Sequence, residues 1–229
     1  MKRSILGDKV HYYEDAVFDF GKLINTIKDL DKINDKDTWG PWYSSNNKDL
    51  IYGETKAINS KEFGNFEEFY RIKMNYVYET IMQSFYNVSK DYAEFIKDEN
   101  EPKFLYSFDI KKYYSGKNMG THFDQLDGDK TLKYSLIMYL NDDYEGGEIS
   151  FTLKDSKIQG PFPDYSDKRN KDLMNFGIKP KAGSIIIFPS SSPYYHTAHL
   201  IKSGMKYIVP THWIETDEFV EERKKQWEY

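Results

Sequence analysis

The run Tyr113-Tyr114-Ser115-Gly116-Lys117-Asn118-Met119-Gly120-Thr121-His122-Phe123-Asp124 decides how this chain is read. It leaves a β-rich stretch at 104–114 and arrives at His122-Phe123-Asp124, an imidazole and a carboxylate two residues apart. Side chains at i and i+2 of an extended segment point to one face, so these two donors stand side by side. Further β-rich runs follow at 134–140, 148–153, 184–188 and 206–214. Gly146-Gly147 and Lys202-Ser203-Gly204 are turn signals between them. Short strands at this spacing predict an antiparallel sandwich or barrel. Residues 155–176 are polar and carry Gly160, Pro161 and Pro163, which predicts an excursion over the barrel mouth.

Upstream of Glu101-Pro102 the texture is different. Residues 10–17 alternate loosely, as a strand would. Residues 18–30 place Phe18, Phe20, Leu23, Ile24, Ile27 and Leu30 at helical spacing. The segment 37–48, with Trp39 and Trp42 among turn-forming residues, reads as a loop. The clearest helix spans 63–96, with Phe66, Phe69, Tyr70, Met74, Val77, Ile81, Phe85, Val88, Tyr92 and Phe95 at three- and four-residue steps. The expected architecture is mainly β with flanking helices (α+β): one domain over 1–229, with a mixed, partly helical support region at 1–102, a β core at 103–215 and a tail at 216–229.

Composition narrows the function. At 229 residues, 39% hydrophobic and 30% charged, the chain can bury a core and is not a disordered tail. A net charge of −5 argues against a broadly basic nucleic-acid binder. No apolar run approaches the ~20 residues a bilayer span needs. The basic tip of MKRSILGDKV is followed by no apolar stretch of signal-peptide length, so the expected location is cytoplasmic. With no cysteine there is no thiolate site, and any metal must use histidine and carboxylate.

Four of the five histidines, His122, His196, His199 and His212, lie in the β-rich half. Two histidines and one carboxylate on one face of a metal leave open positions, the arrangement that suits non-haem Fe(II). Rival patterns are weaker. Asp124-Gln125-Leu126-Asp127-Gly128-Asp129 lacks the Asp/Asn spacing of a calcium loop. The run Ser190-Ser191-Ser192 has no Gly-x-Ser-x-Gly elbow. Lys111-Lys112 and Lys168-Arg169 read as solvated faces.

Taken together, Tyr113 to Asp124, the run Tyr134 to Asn141, Glu145-Gly146-Gly147-Glu148, Lys179 to Pro189, His196 and Gly204-Met205-Lys206 resemble, in order and spacing, the catalytic domain of prolyl 4-hydroxylase-like Fe(II)/2-oxoglutarate oxygenases. The resemblance covers residues 104–214. It implies a double-stranded β-helix (jelly roll) with the N-terminal helices packed on one sheet. It also implies Fe(II), 2-oxoglutarate and O2, with ascorbate as a candidate accessory reductant. By the same resemblance the metal ligands are His122, Asp124 and His196. Lys206, ten residues after His196, pairs with the distal carboxylate of 2-oxoglutarate. His199 competes with His196 as third ligand, but would leave only seven residues to the lysine. Tyr113, nine residues before His122, and Tyr139 are candidates for the co-substrate pocket. Trp213, Trp39 and Trp42 are candidates for contact with substrate.

The implied activity is C–H hydroxylation, of a peptidyl proline first, with succinate and CO2 as co-products. The implied partner is therefore a protein or peptide, not a membrane or a nucleic acid. Hydroxylation of another side chain or a free amino acid is the rival enzymatic reading, and a non-catalytic 2-oxoglutarate- or metal-binding jelly roll the rival of another class. Three positions depart from the family pattern: Met119 replaces a frequent tyrosine, Ile149 a frequent hydroxyl residue, and Leu132 an arginine of relatives that act on proline-rich peptides, with Lys133 adjacent.

Overall fold

The computed structural model describes residues 1–7, 9–33, 39–43, 51–59, 68–104, 107–125, 132–152 and 176–214. Most of the expected excursion at 155–176, and the tail at 216–229, lie outside the described residues.

The chain opens with a hairpin, β1 (Lys2–Gly7) and β2 (Val10–Glu14), and helix α1 (Phe20–Ile33). A second antiparallel pair follows, β3 (Gly40–Tyr43) and β4 (Ile51–Asn59), then the long helix α2 (Glu68–Ile96). The β-rich half holds β5 (Ser107–Tyr113), β6 (Met119–His122), β7 (Leu132–Tyr139), β8 (Glu145–Gly146), β9 (Ile149–Thr152), β10 (Phe176–Ile178), β11 (Ile185–Pro189), β12 (Tyr195–Ala198), β13 (Ile201–Ser203) and β14 (Lys206–Ile214). Among the described residues the large sheet runs β1-β2-β11-β7-β14-β5-β4-β3, facing a smaller one ordered β10-β9-β12-β6. This is the jelly roll expected from the sequence, with helices against the large sheet.

One expectation is corrected: residues 40–43, read as loop, form an edge strand. Pro41 cannot donate to a ladder, but β3 is the last strand of its sheet and pairs on one side only, where proline is tolerated.

Strict alternation splits the large sheet into two faces. On β14, Val209 and Trp213 enter the helix-side core while Ile208 enters the barrel interior. On β7, Leu136 and Met138 go to the helices and Tyr139 to the barrel; on β11, Ile185 and Ile187 go one way and Ile186 and Phe188 the other. Helix α2 completes the outer core with Tyr70, Met74, Val77, Ile81, Phe85, Val88 and Tyr92, all buried. It stops where Lys97 turns to φ 58°, and the Asp98 amide bonds back to the Ala93 carbonyl at 2.9 Å. That is the left-handed cap that satisfies late helix carbonyls.

Candidate metal centre and anion pocket

His122 ends β6 and pairs across the small sheet with His196 of β12, so the ladder register sets the two rings 4.3 Å apart. Asp124 follows just past the strand, fixed by a Gln125 amide bond to the Ser190 carbonyl at 2.9 Å. One oxygen of Asp124, Oδ1, lies 3.4 Å from His122 Nε2 and 3.7 Å from His196 Nε2. Within the described residues this is the one group of three such side chains whose ligand atoms fall inside 4.8 Å of one another.

The tautomer of His122 follows from its neighbour. Its Nδ1 lies 2.6 Å from the Gly120 carbonyl, which can only accept, so Nδ1 holds the proton and Nε2 presents a lone pair inward. Burial opposes charging His122, but the adjacent Asp124 carboxylate and the Gly120 carbonyl outweigh it and raise its pKa. His196 is fully buried between Phe188 and Phe151, and burial, reinforced by His122, lowers its pKa to about 4. Burial also works against ionised Asp124, yet His196, His122 and His212 together hold it well below the usual carboxylate range.

Asp124 is also gripped from behind. Ser135 Oγ donates to its Oδ2 at 2.5 Å and lies 2.8 Å from Ser190 Oγ and 3.2 Å from His212 Nδ1. His212 faces the barrel, and burial lowers its pKa. None of Ser135, Ser190 or His212 stood out in the sequence as support for Asp124.

A second polar feature lies farther along the barrel. Lys206 is 2% exposed, and its Nζ donates to the Gly147 carbonyl at 2.7 Å. Gly147 makes this possible at φ 68°, where an added Cβ would meet Ile201 at 2.5 Å and the Tyr144 ring at 2.7 Å. The rings of Tyr139, Tyr144 and Tyr113 lie 5.1, 5.8 and 5.9 Å from the ammonium. Burial drives the Lys206 pKa down to about 7, with Glu148 pulling the other way. Tyr144 is a further pocket residue that sequence reasoning did not single out. Its hydroxyl is buried with no hydrogen-bond partner among the described residues. Its place directly before Glu145-Gly146-Gly147 was the available signal.

The remaining candidates divide by face. Tyr113 and Tyr139 line the barrel, and Trp42 packs on Tyr113 at 4.8 Å and on Tyr52 at 5.2 Å. Trp39 and Trp213 do not reach this side. Trp39 stands edge-on to Tyr207 among the helix-side residues, and Trp213, 1% exposed, packs on Tyr134 in the same core. Both sit at positions whose side chains alternate away from the barrel, so their expected contact with substrate is corrected. His199 stands apart from the three-residue cluster, its Nε2 2.7 Å from Ser150 Oγ. Ile149 is buried in the barrel lining. Lys133 sits at a bulge in the β7–β14 ladder and pairs with Asp98 at 2.7 Å, so it does not stand in for the missing arginine.

The chemistry of the donor set fits a divalent metal: two inward imidazole nitrogens, one carboxylate held ionised, and a fixed hydrogen bond behind each of His122 and Asp124. Comparisons with known proteins agree. Residues 108–215 match the 2OG-Fe(II) oxygenase superfamily. Human prolyl 3-hydroxylase 2 is 30% identical over 92 residues, 40% of this chain but 11% of that protein, so the matched stretch spans about a tenth of the length of the curated relatives. A prolyl-4-hydroxylase from Pseudomonas putida superposes with a TM-score of 0.57 at 14% identity, covering 91% of this chain and 93% of the other. A Trichoplax adhaerens prolyl hydroxylase, solved with a hypoxia inducible factor peptide fragment, gives 0.56 at 11% identity over 93% and 85%. The stretch that matches this superfamily, residues 108–215, is the part of the jelly roll that brings His122, Asp124 and His196 together.

Proposed function

We propose that this chain is an Fe(II)- and 2-oxoglutarate-dependent dioxygenase that hydroxylates a C–H bond of a peptidyl proline, releasing succinate and CO2. The observation that carries the reading is the convergence of His122, Asp124 and His196 in the barrel that also buries Lys206. Fe(II) held by those three side chains would supply, with 2-oxoglutarate and O2, the oxidising chemistry.

The protein's own part is positional. His122 and His196 offer lone pairs because one is held in the right tautomer and the other is kept neutral by burial. Ser135 fixes the rotation of the Asp124 carboxylate and leaves Oδ1 free to point at the imidazoles. Lys206 would neutralise the distal carboxylate of 2-oxoglutarate, a charge too costly to bury alone. Tyr144, with its unpartnered hydroxyl, would donate to the same carboxylate. Trp42, packed against the barrel lining, would meet substrate.

Proline is favoured because the relatives and structural neighbours described above are named prolyl hydroxylases, one of them solved with a peptide. Among the described residues no helix is long and apolar enough to cross a membrane. The test is succinate release with Fe(II) and 2-oxoglutarate across a panel of proline-containing peptides, paired with intact-mass detection of a one-oxygen gain. Wild-type protein should score and Asp124→Ala should not. Binding of 2-oxoglutarate with no turnover on any member would replace the enzyme with a binding module.

A further inference from the structure

Lys111 and Lys112 are neighbours in sequence and opposites in the fold. Lys112 points to the outer face, where it pairs with Glu54 and covers the Trp39 ring at 4.3 Å. Lys111 shares the inward parity of Tyr113 and lies half-buried with its ammonium 4.3 Å over the Trp42 ring. Beyond that ring contact, it has no hydrogen bond or ion pair among the described residues. Asp109, on the same face, and Asp124 attract it only at longer range, and burial lowers its pKa. Its charge in turn depresses the pKa of His212, which touches the Ser135 that holds Asp124. Lys111 therefore stands within electrostatic reach of the candidate metal centre.

A loaded site leaves this cation without a contacting anion among the described residues. The formal charges of a divalent metal, Asp124, Lys206 and the 2-oxoglutarate dianion cancel, and Lys111 is left with only the longer-range attraction of Asp109 and no anion in contact. An ammonium in the same barrel as a metal cation, partly stripped of water and stacked on an indole, is disfavoured unless an anion joins it. The co-substrate's distal carboxylate has Lys206, so the missing anion is on the molecule to be oxidised.

We propose that Lys111, with Trp42 beneath it, is a specificity residue that binds a carboxylate carried by the substrate. The proposal rests on the oxygenase reading and narrows its substrate class to molecules with a negative charge close to the oxidised carbon. That carboxylate can be the α-carboxylate of a free amino acid or an acidic side chain beside a peptidyl proline.

The experiment is calorimetric titration of protein loaded with Mn(II) and 2-oxoglutarate against matched acid and amide probes. The pairs are L-proline and L-prolinamide, acetyl-Gly-Pro-Glu-amide and acetyl-Gly-Pro-Gln-amide, and L-leucine and L-leucinamide. In at least one pair the acid should bind about ten- to a hundredfold more tightly, as for a charge-assisted hydrogen bond. Lys111→Met should abolish that preference, Lys111→Arg should keep most of it, and Lys112→Gln should leave it intact, with melting temperatures checking that each variant folds. The discriminating pair identifies the source of the carboxylate. Preference in the leucine pair alone, still dependent on Lys111, would retain this assignment and remove proline as the substrate. Proline probes that bind equally as acid and amide, unaffected by Lys111→Met, would keep proline and overturn the assignment. Absence of acid preference in every pair overturns it as well.

Discussion

Replacing Lys206 by methionine separates what this residue costs the fold from what it gives the site. Methionine keeps an unbranched chain of similar length and removes the charge. Among the described residues the ammonium has a single carbonyl partner at 2.7 Å. Its pKa falls from 10.5 to about 7, so burying it in charged form costs up to about 5 kcal/mol, at about 1.4 kcal/mol for each pH unit. The sign follows from the depressed pKa of a base. Above pH 10.5 neither the folded nor the unfolded chain carries this proton, and nothing is lost. As pH falls from 10.5 to about 7 the unfolded chain takes up the proton first and folding loses stability; below about 7 the loss is constant. Lys206→Met should therefore raise the unfolding free energy of the ligand-free protein at pH 7, by about 1–3 kcal/mol after allowance for the lost hydrogen bond.

Binding should move the opposite way. A dianion whose far carboxylate has lost its buried partner pays about 3–5 kcal/mol, or about a hundred- to several-thousandfold in affinity. Thermal denaturation with Mn(II) alone and with Mn(II) plus 2-oxoglutarate reads both effects. Wild-type protein at a hundred times its dissociation constant gains about 2.7 kcal/mol from the co-substrate, and the variant should gain almost nothing while keeping its response to Mn(II). Because 2-oxoglutarate needs the charged ammonium, wild-type affinity should also decline by up to about tenfold per pH unit above 7, with proton uptake seen in buffers of differing ionisation enthalpy. Equal loss of the metal and co-substrate responses, or an undiminished response to 2-oxoglutarate, would show that the anion lies elsewhere.

Ser135→Ala should leave the fold intact and weaken metal binding by about ten- to a hundredfold in a competitive titration, since it removes the hydrogen bond that orients Asp124. Metal affinity should fall as pH drops, first by about tenfold per pH unit as His122 with its raised pKa takes a proton, and more steeply near pH 4, where His196 joins it. His11, fully buried against Tyr92 and Phe95 with both ring nitrogens unpartnered among the described residues, has its pKa lowered to about 4, chiefly by burial. Above pH 6.5 it is neutral folded or unfolded; between 6.5 and about 4 only the unfolded chain is charged, so stability falls by up to about 3 kcal/mol across that window. His11→Phe should remove that share of the acid sensitivity and add about 1–2 kcal/mol at pH 8 in urea denaturation, by deleting unsatisfied buried nitrogens.

Legibility in the sequence tracked the length and apolar content of each element. Strand β14 was expected at the bounds it has, and α2 showed because its buried residues recur at three- and four-residue steps for eight turns. Strands β6 and β12, Met119–His122 and Tyr195–Ala198, carry ligand candidates where a strand would otherwise carry apolar residues, and at four residues each they have no alternation to detect. Strand β4, IYGETKAIN, carries the consecutive polar residues Glu54, Thr55 and Lys56 and so shows no alternation to read, although it pairs with β5 along most of its length. The cluster of His122, Asp124 and His196 was anticipated from the family resemblance that the order and spacing of the motifs carry. Its supports, Ser135, Ser190 and His212, and the pocket residue Tyr144 were not, because such residues are common enough that only a known partner marks them. Lys111 was read as solvated beside Lys112, and only the strand register could part the two.

That same register explains how the barrel tolerates so many costly groups. Lys206, Lys111, His212 and Ser135 all stand on the inner face of the large sheet, each partly stripped of water. The residues between them on the same strands, Ile110, Tyr134, Leu136, Val209 and Trp213, pack against the helix-side core, where α2 adds Phe85, Ile81 and Val88 at 0% exposure. Each strand thus sets an apolar anchor next to each polar liability, and the outer core offsets what the inner face costs. Truncating Phe85 to alanine, remote from every candidate ligand, would remove about 3–5 kcal/mol from a total of about 5–15. The site depends on that core for stability, and a bound metal and co-substrate would return part of it by neutralising the inner charges they meet.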